Sequence, residues 1–269
     1  MSEPCLSVER DGPVWVCTLA NPPRHTLTAK GVEALTGLVE EIENGERPRV
    51  LVLTGGGEGV FIAHYEVGEL AQSAERQVAT PQAASEGPLR LHPFHQLLLR
   101  LEALPVVTIA ALNGNTAGGG FELALGCDFR LLADGPYRVG LPETSVGIIP
   151  GAGGTQRLAR LLGTARTLDL VLHATLLTPP EALELGLVHR LFEPASFREQ
   201  VDTFADDLAG RAPIAMAAAK EAIQRGSRAP LESGLAIEQE CFDRTMRSRD
   251  AAGAMRALLE SRSYEWRGE

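Results

Sequence analysis

Residues 115–126 read NTAGGGFELALG. Three consecutive glycines run directly into Phe121, Glu122, Leu123, Ala124 and Leu125, an amphipathic segment of helical character. A helix that starts behind such a loop leaves its first backbone N–H groups without intrahelical partners. Together with the helix dipole they favour negative charge. A tight turn that merely allows close packing has the same composition, and both readings stay open at this point. The flanks settle the class. VVTIAALNG (106–114) precedes the stretch and FRLLA (129–133) follows it, and both read as buried strands.

Working outward, CLSVERDGPVWVCTLAN (5–21) alternates around an Asp-Gly pair and predicts a β-hairpin. Val32, Leu35, Leu38, Val39 and Ile42 have helical spacing over 28–42. PRVLVLTGGG (48–57) predicts a strand covered on both faces and running into a glycine loop. Residues 72–90 are mixed and polar, with Pro81 and Pro88, and predict a long loop. FHQLLLRLEALP (94–105) predicts a helix stopped by Pro105. Strand, helix, strand, helix in this order implies an α/β layered core. Beyond Pro150 the pattern turns helical, and 231–264 carries apolar spacing over two helices broken near residues 248–250. We therefore expect a domain over 1–195 followed by a helical C-terminal subdomain over 196–269.

Composition narrows the function. The chain has 269 residues, enough for a large core, and 25 Lys and Arg against 35 Asp and Glu give a net charge of −10. That balance repels phosphate backbones and argues against a nucleic-acid partner. The longest apolar runs are too short to span a bilayer. The N-terminal residues MSEPCLSVERDG lack an apolar signal core, and Cys5, Cys17, Cys127 and Cys241 show no paired or zinc spacing. The expectation is a cytoplasmic protein with free thiols, no membrane and no metal. The glycine loops TGGGEGV, AGGGFEL and GAGGTQR lack the G-x-G-x-x-G and G-K-[ST] patterns of nucleotide sites.

A second carboxylate stands in VGLPETSVGIIPGAGGTQRL (139–158), where Glu143 follows a proline in another glycine-bordered loop. Glu122 and Glu143 could share one water as acid and base if their surroundings separate their pKa values. Spacing alone does not bring them face to face.

FIAHYEVGEL (61–70), NGNTAGGGFELALGCDFRL (113–131), LPETSVGIIPGAGGTQRLARLLG (141–163) and TPPEALELGLVHRLF (178–192) occur in the order and spacing of the crotonase, or enoyl-CoA hydratase/isomerase, family. RDAAGAMRALLESR (249–262) resembles that family's closing helix. The resemblance covers essentially the whole chain. It implies an α/β fold of repeated ββα units wound into a spiral of roughly perpendicular sheets, then a helical trimerisation region. It also implies a homotrimer or a hexamer built as a dimer of trimers, an acyl-CoA thioester substrate and no separate cofactor.

Residue by residue, the resemblance places an oxyanion hole at the backbone N–H groups of Tyr65 and Gly119. It places the two acids of a hydratase at Glu122 and Glu143, holding a water for addition to C3 of a 2-enoyl-CoA. It makes Arg24, Ala63 and Arg262 candidate contacts to coenzyme A. The family's first oxyanion segment resembles S-A-G-A-D, whereas this chain has IAHYE (62–66). His64 therefore stands at a usual glycine position, either turned into a loop hydrogen bond or reaching the acyl pocket as an extra acid or base. Isomerisation, His64-assisted carbon–carbon hydrolysis and non-catalytic acyl-CoA binding by a scaffold trimer remain as alternatives to hydration.

Overall fold

The computed structural model describes residues 5–80 and 90–269. The elements in chain order are β1 (Leu6–Asp11), β2 (Val14–Leu19), α1 (Ala29–Asn44), β3 (Val50–Gly55), β4 (Val60–Ile62), α2 (Val67–Ala79), α3 (Pro93–Ala103), β5 (Val107–Leu112), β6 (Asn115–Ala117), α4 (Gly119–Leu125), β7 (Phe129–Ala133) and β8 (Val139–Gly140). A 3₁₀ turn (Glu143–Val146) leads into α5 (Gly154–Leu162), α6 (Thr164–Leu172), β9 (Leu176–Leu177), α7 (Pro179–Glu184) and β10 (Arg190–Phe192). After a short 3₁₀ turn (Pro194–Ser196), the chain closes with α8 (Phe197–Ala209), α9 (Pro213–Gly226), α10 (Leu231–Met246) and α11 (Arg249–Leu259).

β1 and β2 form the expected antiparallel hairpin, and β3, β5, β7 and β10 extend it as parallel strands in the order β1-β2-β3-β5-β7-β10. A second sheet has the order β4-β6-β8-β9, with β4, β6 and β8 parallel and β9 antiparallel. Three successive passes, β3–β4–α2, β5–β6–α4 and β7–β8–α5, each leave one strand in the large sheet and one in the small sheet before a helix. This is the ββα repeat of the expected crotonase-like fold. Because β4, β6 and β8 run parallel, the segments leaving them emerge at one end of the small sheet.

The large sheet is covered on both faces. Leu51 and Leu53 of β3 join a core with α1, α3 and α4, while Val50 and Val52 face a second core with α8. Period-two alternation puts successive apolar residues into different cores, so the strand reads as continuously apolar. Thr28 caps α1 by accepting from Gly31 N–H, and Val32, Leu35, Leu38, Val39 and Ile42 form its buried stripe.

Three local expectations differ from the structure. Residues expected in a loop from 72 onward are helical as far as Ala79, and residues 81–89 lie outside the described ones. α2 buries none of its residues, so it carries no core-facing stripe to reveal it. Residues 115–117, expected as loop, pair as β6. The last helix stops at Leu259 rather than reaching 264: Ser261 takes a positive φ of 53°, and Tyr264 turns back so that its hydroxyl donates to Asp250 Oδ1 at 3.1 Å. No helix among the described residues is long and apolar enough to cross a membrane.

Helix α9 is fastened to the large sheet by polar contacts. Lys220 Nζ lies 2.7 Å from Asp128 Oδ2 and donates to the Val106 carbonyl at 2.8 Å. Asp128 also accepts from Thr108 N–H at 2.8 Å and from Gln224 Nε2 at 3.0 Å. Breaking one side of a buried ion pair leaves the other charge uncompensated, at a cost of about 3–5 kcal/mol. Lys220→Met should therefore lower unfolding stability by about 3 kcal/mol in a urea titration, and a loss under about 0.5 kcal/mol would contradict this reading.

Candidate active site

Three segments leave the small sheet side by side: 63–66 after β4, 118–120 after β6 and 141–143 after β8. The first is locked to the chain that precedes α1. Ala63 N–H donates to the His25 carbonyl at 2.9 Å, Leu27 N–H to the His64 carbonyl at 2.9 Å and Glu66 N–H to the Leu27 carbonyl at 2.8 Å. Leu27 thereby uses the groups on either side of Tyr65. In extended backbone, successive N–H groups point to opposite sides, so that of Tyr65 turns away from Leu27. It donates to no described atom.

The second segment is pinned by Ala117 N–H to the Ala63 carbonyl and by Gly118 N–H to the Gly140 carbonyl, both at 3.0 Å. Gly118 holds φ at 51°, and Gly119 opens α4. Gly119 N–H also donates to no described atom, as expected for the first residue of a helix. A Cβ built on Gly119 would lie 3.5 Å from the Tyr65 nitrogen and 3.0 Å from Tyr65 Cβ. Two unpartnered N–H donors therefore meet at the head of α4, where the helix dipole adds positive potential.

Glu122 lies one turn into α4, only 2 % exposed. Its Oε1 accepts from Ala152 N–H and Gly154 N–H, both at 2.7 Å. Burial raises its pKa above the usual carboxylate range, opposed by the Gly154 and Ala152 N–H bonds and the nearby Arg157 charge. The sequence reading missed this clamp, although PGAGG (150–154) held the signal: consecutive small residues free their N–H groups for an anion.

Glu143 opens the 3₁₀ turn behind β8. Its Oε1 lies 3.2 Å from where a Gly118 Cβ would sit, so the carboxylate faces the glycine loop. Its Oε2 is buried and accepts from no described residue. Burial pushes its pKa up to about 7, its own backbone N–H opposes this, and the Glu122 charge adds to the rise. Glu122 stands on the helix that Gly118 precedes, and Glu143 faces Gly118 itself, so the two acids lie on either side of the start of α4.

The remaining sequence candidates separate. His64 has no left-handed backbone, since the non-glycine residues with positive φ among those described are His25, Ala174 and Ser261. A histidine there does not strain the loop. Its Nδ1 is 2.7 Å from the Tyr65 carbonyl, the loop hydrogen bond expected as one of its two roles. Its Cβ lies 3.9 Å from a Cβ built on Gly118, so the residue borders the site. The Tyr65 phenol is pushed up to about 12 by burial and by its hydrogen bond with Glu69, and stays protonated.

Glu66 caps α2, accepting from Gly68 N–H at 3.3 Å and from Thr26 Oγ1 at 2.8 Å. Those hydrogen bonds, the Thr26 one foremost, hold its carboxyl below the usual range. The largely exposed Arg24 pairs with it at 3.3 Å. Both backbone polar groups of Ala63 are used, its N–H by the His25 carbonyl and its carbonyl by Ala117 N–H. Arg262 pairs with Glu260, and no contact among the described residues joins it to the other candidates. Among the described residues no group of three or more His, Cys, Asp and Glu could hold a metal ion.

The sequence profile of the family described as enoyl-CoA hydratase/isomerase matches residues 9–269. The short-chain-enoyl-CoA hydratase of Clostridium acetobutylicum is 34 % identical over 259 residues, 96 % of this chain and 95 % of that protein. The mitochondrial methylglutaconyl-CoA hydratase of Homo sapiens is 32 % identical over 251 residues, 91 % of this chain and 71 % of that protein. The crystal structure of an enoyl-CoA hydratase from Geobacillus kaustophilus superposes with a TM-score of 0.90 at 31 % identity, covering 100 % of this chain and 98 % of the other. With the ββα repeat and a match over almost the full length, the chain belongs to the enoyl-CoA hydratase/isomerase family of the crotonase superfamily and is an enoyl-CoA hydratase-like enzyme.

Proposed function

We propose that the protein adds water across the C2=C3 bond of a 2-enoyl-CoA thioester. The observation that carries this reading is the pair of carboxylates, Glu122 and Glu143, held in differing surroundings beside two unpartnered backbone donors. Two N–H bonds and the Arg157 charge support the ionised form of Glu122 against its burial, and it serves as the base. Glu143 has no such support at Oε2 and serves as the acid.

In the reaction, the thioester oxygen accepts from the N–H groups of Tyr65 and Gly119. Glu122 takes a proton from water as the water oxygen bonds to C3. The π electrons move through C2 to the thioester oxygen, where the two donors stabilise the enolate. Each such preorganised donor is worth about 10²–10³ in rate. Glu143 then delivers its proton to C2, completing a 3-hydroxyacyl-CoA, and exchange with the next water resets the two carboxyls. An isomerase needs one group to move a single proton, so two acids flanking one place favour hydration.

Hydration consumes the conjugated thioester, and its absorbance reports turnover. Glu143→Gln keeps the shape and removes the proton, so kcat should fall by about 10²–10⁴. No turnover of any enoyl-CoA by the wild type across a chain-length panel would end this reading.

The raised Glu143 pKa fixes the sign of the pH dependence. Below about pH 7 the free enzyme holds Glu143 protonated and competent, and above it the acid is lost. The kcat/KM profile should descend with an apparent pKa near 7 on its alkaline side; a profile flat to pH 9 would contradict the role.

His64 borders the site with its Nδ1 engaged by the Tyr65 carbonyl. His64→Ala should retain hydration within about tenfold of the wild type. A loss as large as that of Glu143→Gln would make the histidine part of the chemistry.

A further inference from the structure

Helix α3 buries Phe94, Leu97, Leu98 and Leu101. Glu102 continues this stripe and is buried with them, a carboxylate at a core-facing position. Its Oε1 accepts from Arg157 Nε at 2.6 Å and its Oε2 from Arg228 Nη2 at 2.8 Å. The Glu102 and Arg157 side chains are 11 % and 14 % exposed. A buried ion pair of this kind is poor evidence for stability, because well-packed apolar residues often serve as well or better. The pair therefore calls for a role beyond folding.

Arg157 also donates through Nη1 to the Ala152 carbonyl at 3.0 Å. Ala152 is thus pinned on both sides: its carbonyl is held by Arg157, and its N–H holds Glu122. Gly154, the second donor to Glu122, opens the helix that carries Arg157. Between them Gly153 takes φ of 99°, and a Cβ there would meet Arg157 Nη1 at 2.3 Å. The loop can lie on the guanidinium only as glycine. An unbroken path of contacts runs from Glu102 through Arg157 and Ala152 to the Glu122 carboxylate.

We infer that Glu102 and Arg157 are positioning residues, which hold the 152–154 loop so that both its N–H groups grip Glu122, and that Arg228 ties this support to the segment following α9. The inference rests on the hydratase reading for its kinetic consequence, though not for its electrostatic one. The charged groups facing Glu122 are Arg157 from α5 and Glu143 from the 3₁₀ turn. Removing the Arg157 charge disfavours the Glu122 carboxylate, whereas removing the Glu102 charge leaves Arg157 less neutralised and favours it.

The test uses Arg157→Gln, Arg157→Lys and Glu102→Gln, each checked for folding by circular dichroism. The Glu122 titration is followed by ¹³C NMR of glutamate-labelled protein, assigned with Glu122→Gln. It should move to higher pH in Arg157→Gln, to lower pH in Glu102→Gln, and return toward the wild-type position in Arg157→Lys. Misplacement of a reacting group by about 1 Å costs on the order of 10² in rate, so kcat in Arg157→Gln and Glu102→Gln should fall about 10–100-fold with KM held within about threefold. Should Arg157→Gln fail to fold, Glu102→Gln decides alone, because it alters charge while keeping shape. A folded Glu102→Gln with wild-type kcat and an unmoved Glu122 titration overturns the inference. Wild-type protein without hydratase turnover overturns the hydratase reading instead, and the opposite NMR shifts still decide the positioning role.

Discussion

The site depends on how closely the head of α4 can lie against the segment leaving β4. A Cβ on Gly120 would come within 2.4 Å of the Ile62 carbonyl oxygen, and one on Gly119 within 3.0 Å of Tyr65 Cβ. Any side chain at Gly120 would force the helix away, since backbone on the other side cannot yield. That contact sets the separation of the Tyr65 and Gly119 N–H groups, and through α4 it sets where Glu122 stands. The same parallel strands that deliver these two segments deliver Glu143 as a third.

Two carboxylates at one place split each other's titration, and acid–base chemistry needs the surroundings to decide which of them keeps the proton. The protein separates them by backbone rather than by side-chain charge alone. Glu122 is almost wholly enclosed, yet two N–H bonds and the Arg157 guanidinium support its ionised form. Glu143 is less enclosed, but its buried Oε2 accepts from no described residue, and its pKa rises to about 7. The two surroundings differ in their hydrogen bonds: two N–H groups donate to Glu122 Oε1, and no described residue donates to Glu143 Oε2. The Glu102–Arg157 pair extends the same logic outward, because it fixes the peptide groups that do the distinguishing.

Elements with a strong period were legible in the sequence, and those without one were not. The β1–β2 hairpin, the α1 stripe and the strands β3, β5 and β7 follow from alternation or helical spacing. Helix α2 was not readable, because it buries none of its residues and carries no core-facing stripe. Glu122 and Glu143 were visible as acids beside glycine loops, but their meeting depends on three parallel strands 60–140 that no local pattern pairs. Resemblance to the family supplied that pairing. The clamp on Glu122 was missed although PGAGG carried it, and Glu102 was missed although an acid on the stripe Phe94, Leu97, Leu98, Leu101 is out of place by helical spacing alone. The His64 side chain turns to the Tyr65 carbonyl, whereas the backbone N–H of Tyr65 donates to no described atom.

The most direct measurement is a crystal structure of the protein with an unreactive acyl-CoA analogue such as acetoacetyl-CoA. The account predicts the thioester oxygen about 2.7–3.1 Å from the backbone nitrogens of both Tyr65 and Gly119, with C2 and C3 facing Glu143 and Glu122. A thioester oxygen bound away from these two nitrogens, or an acyl chain directed away from the two carboxylates, would contradict it.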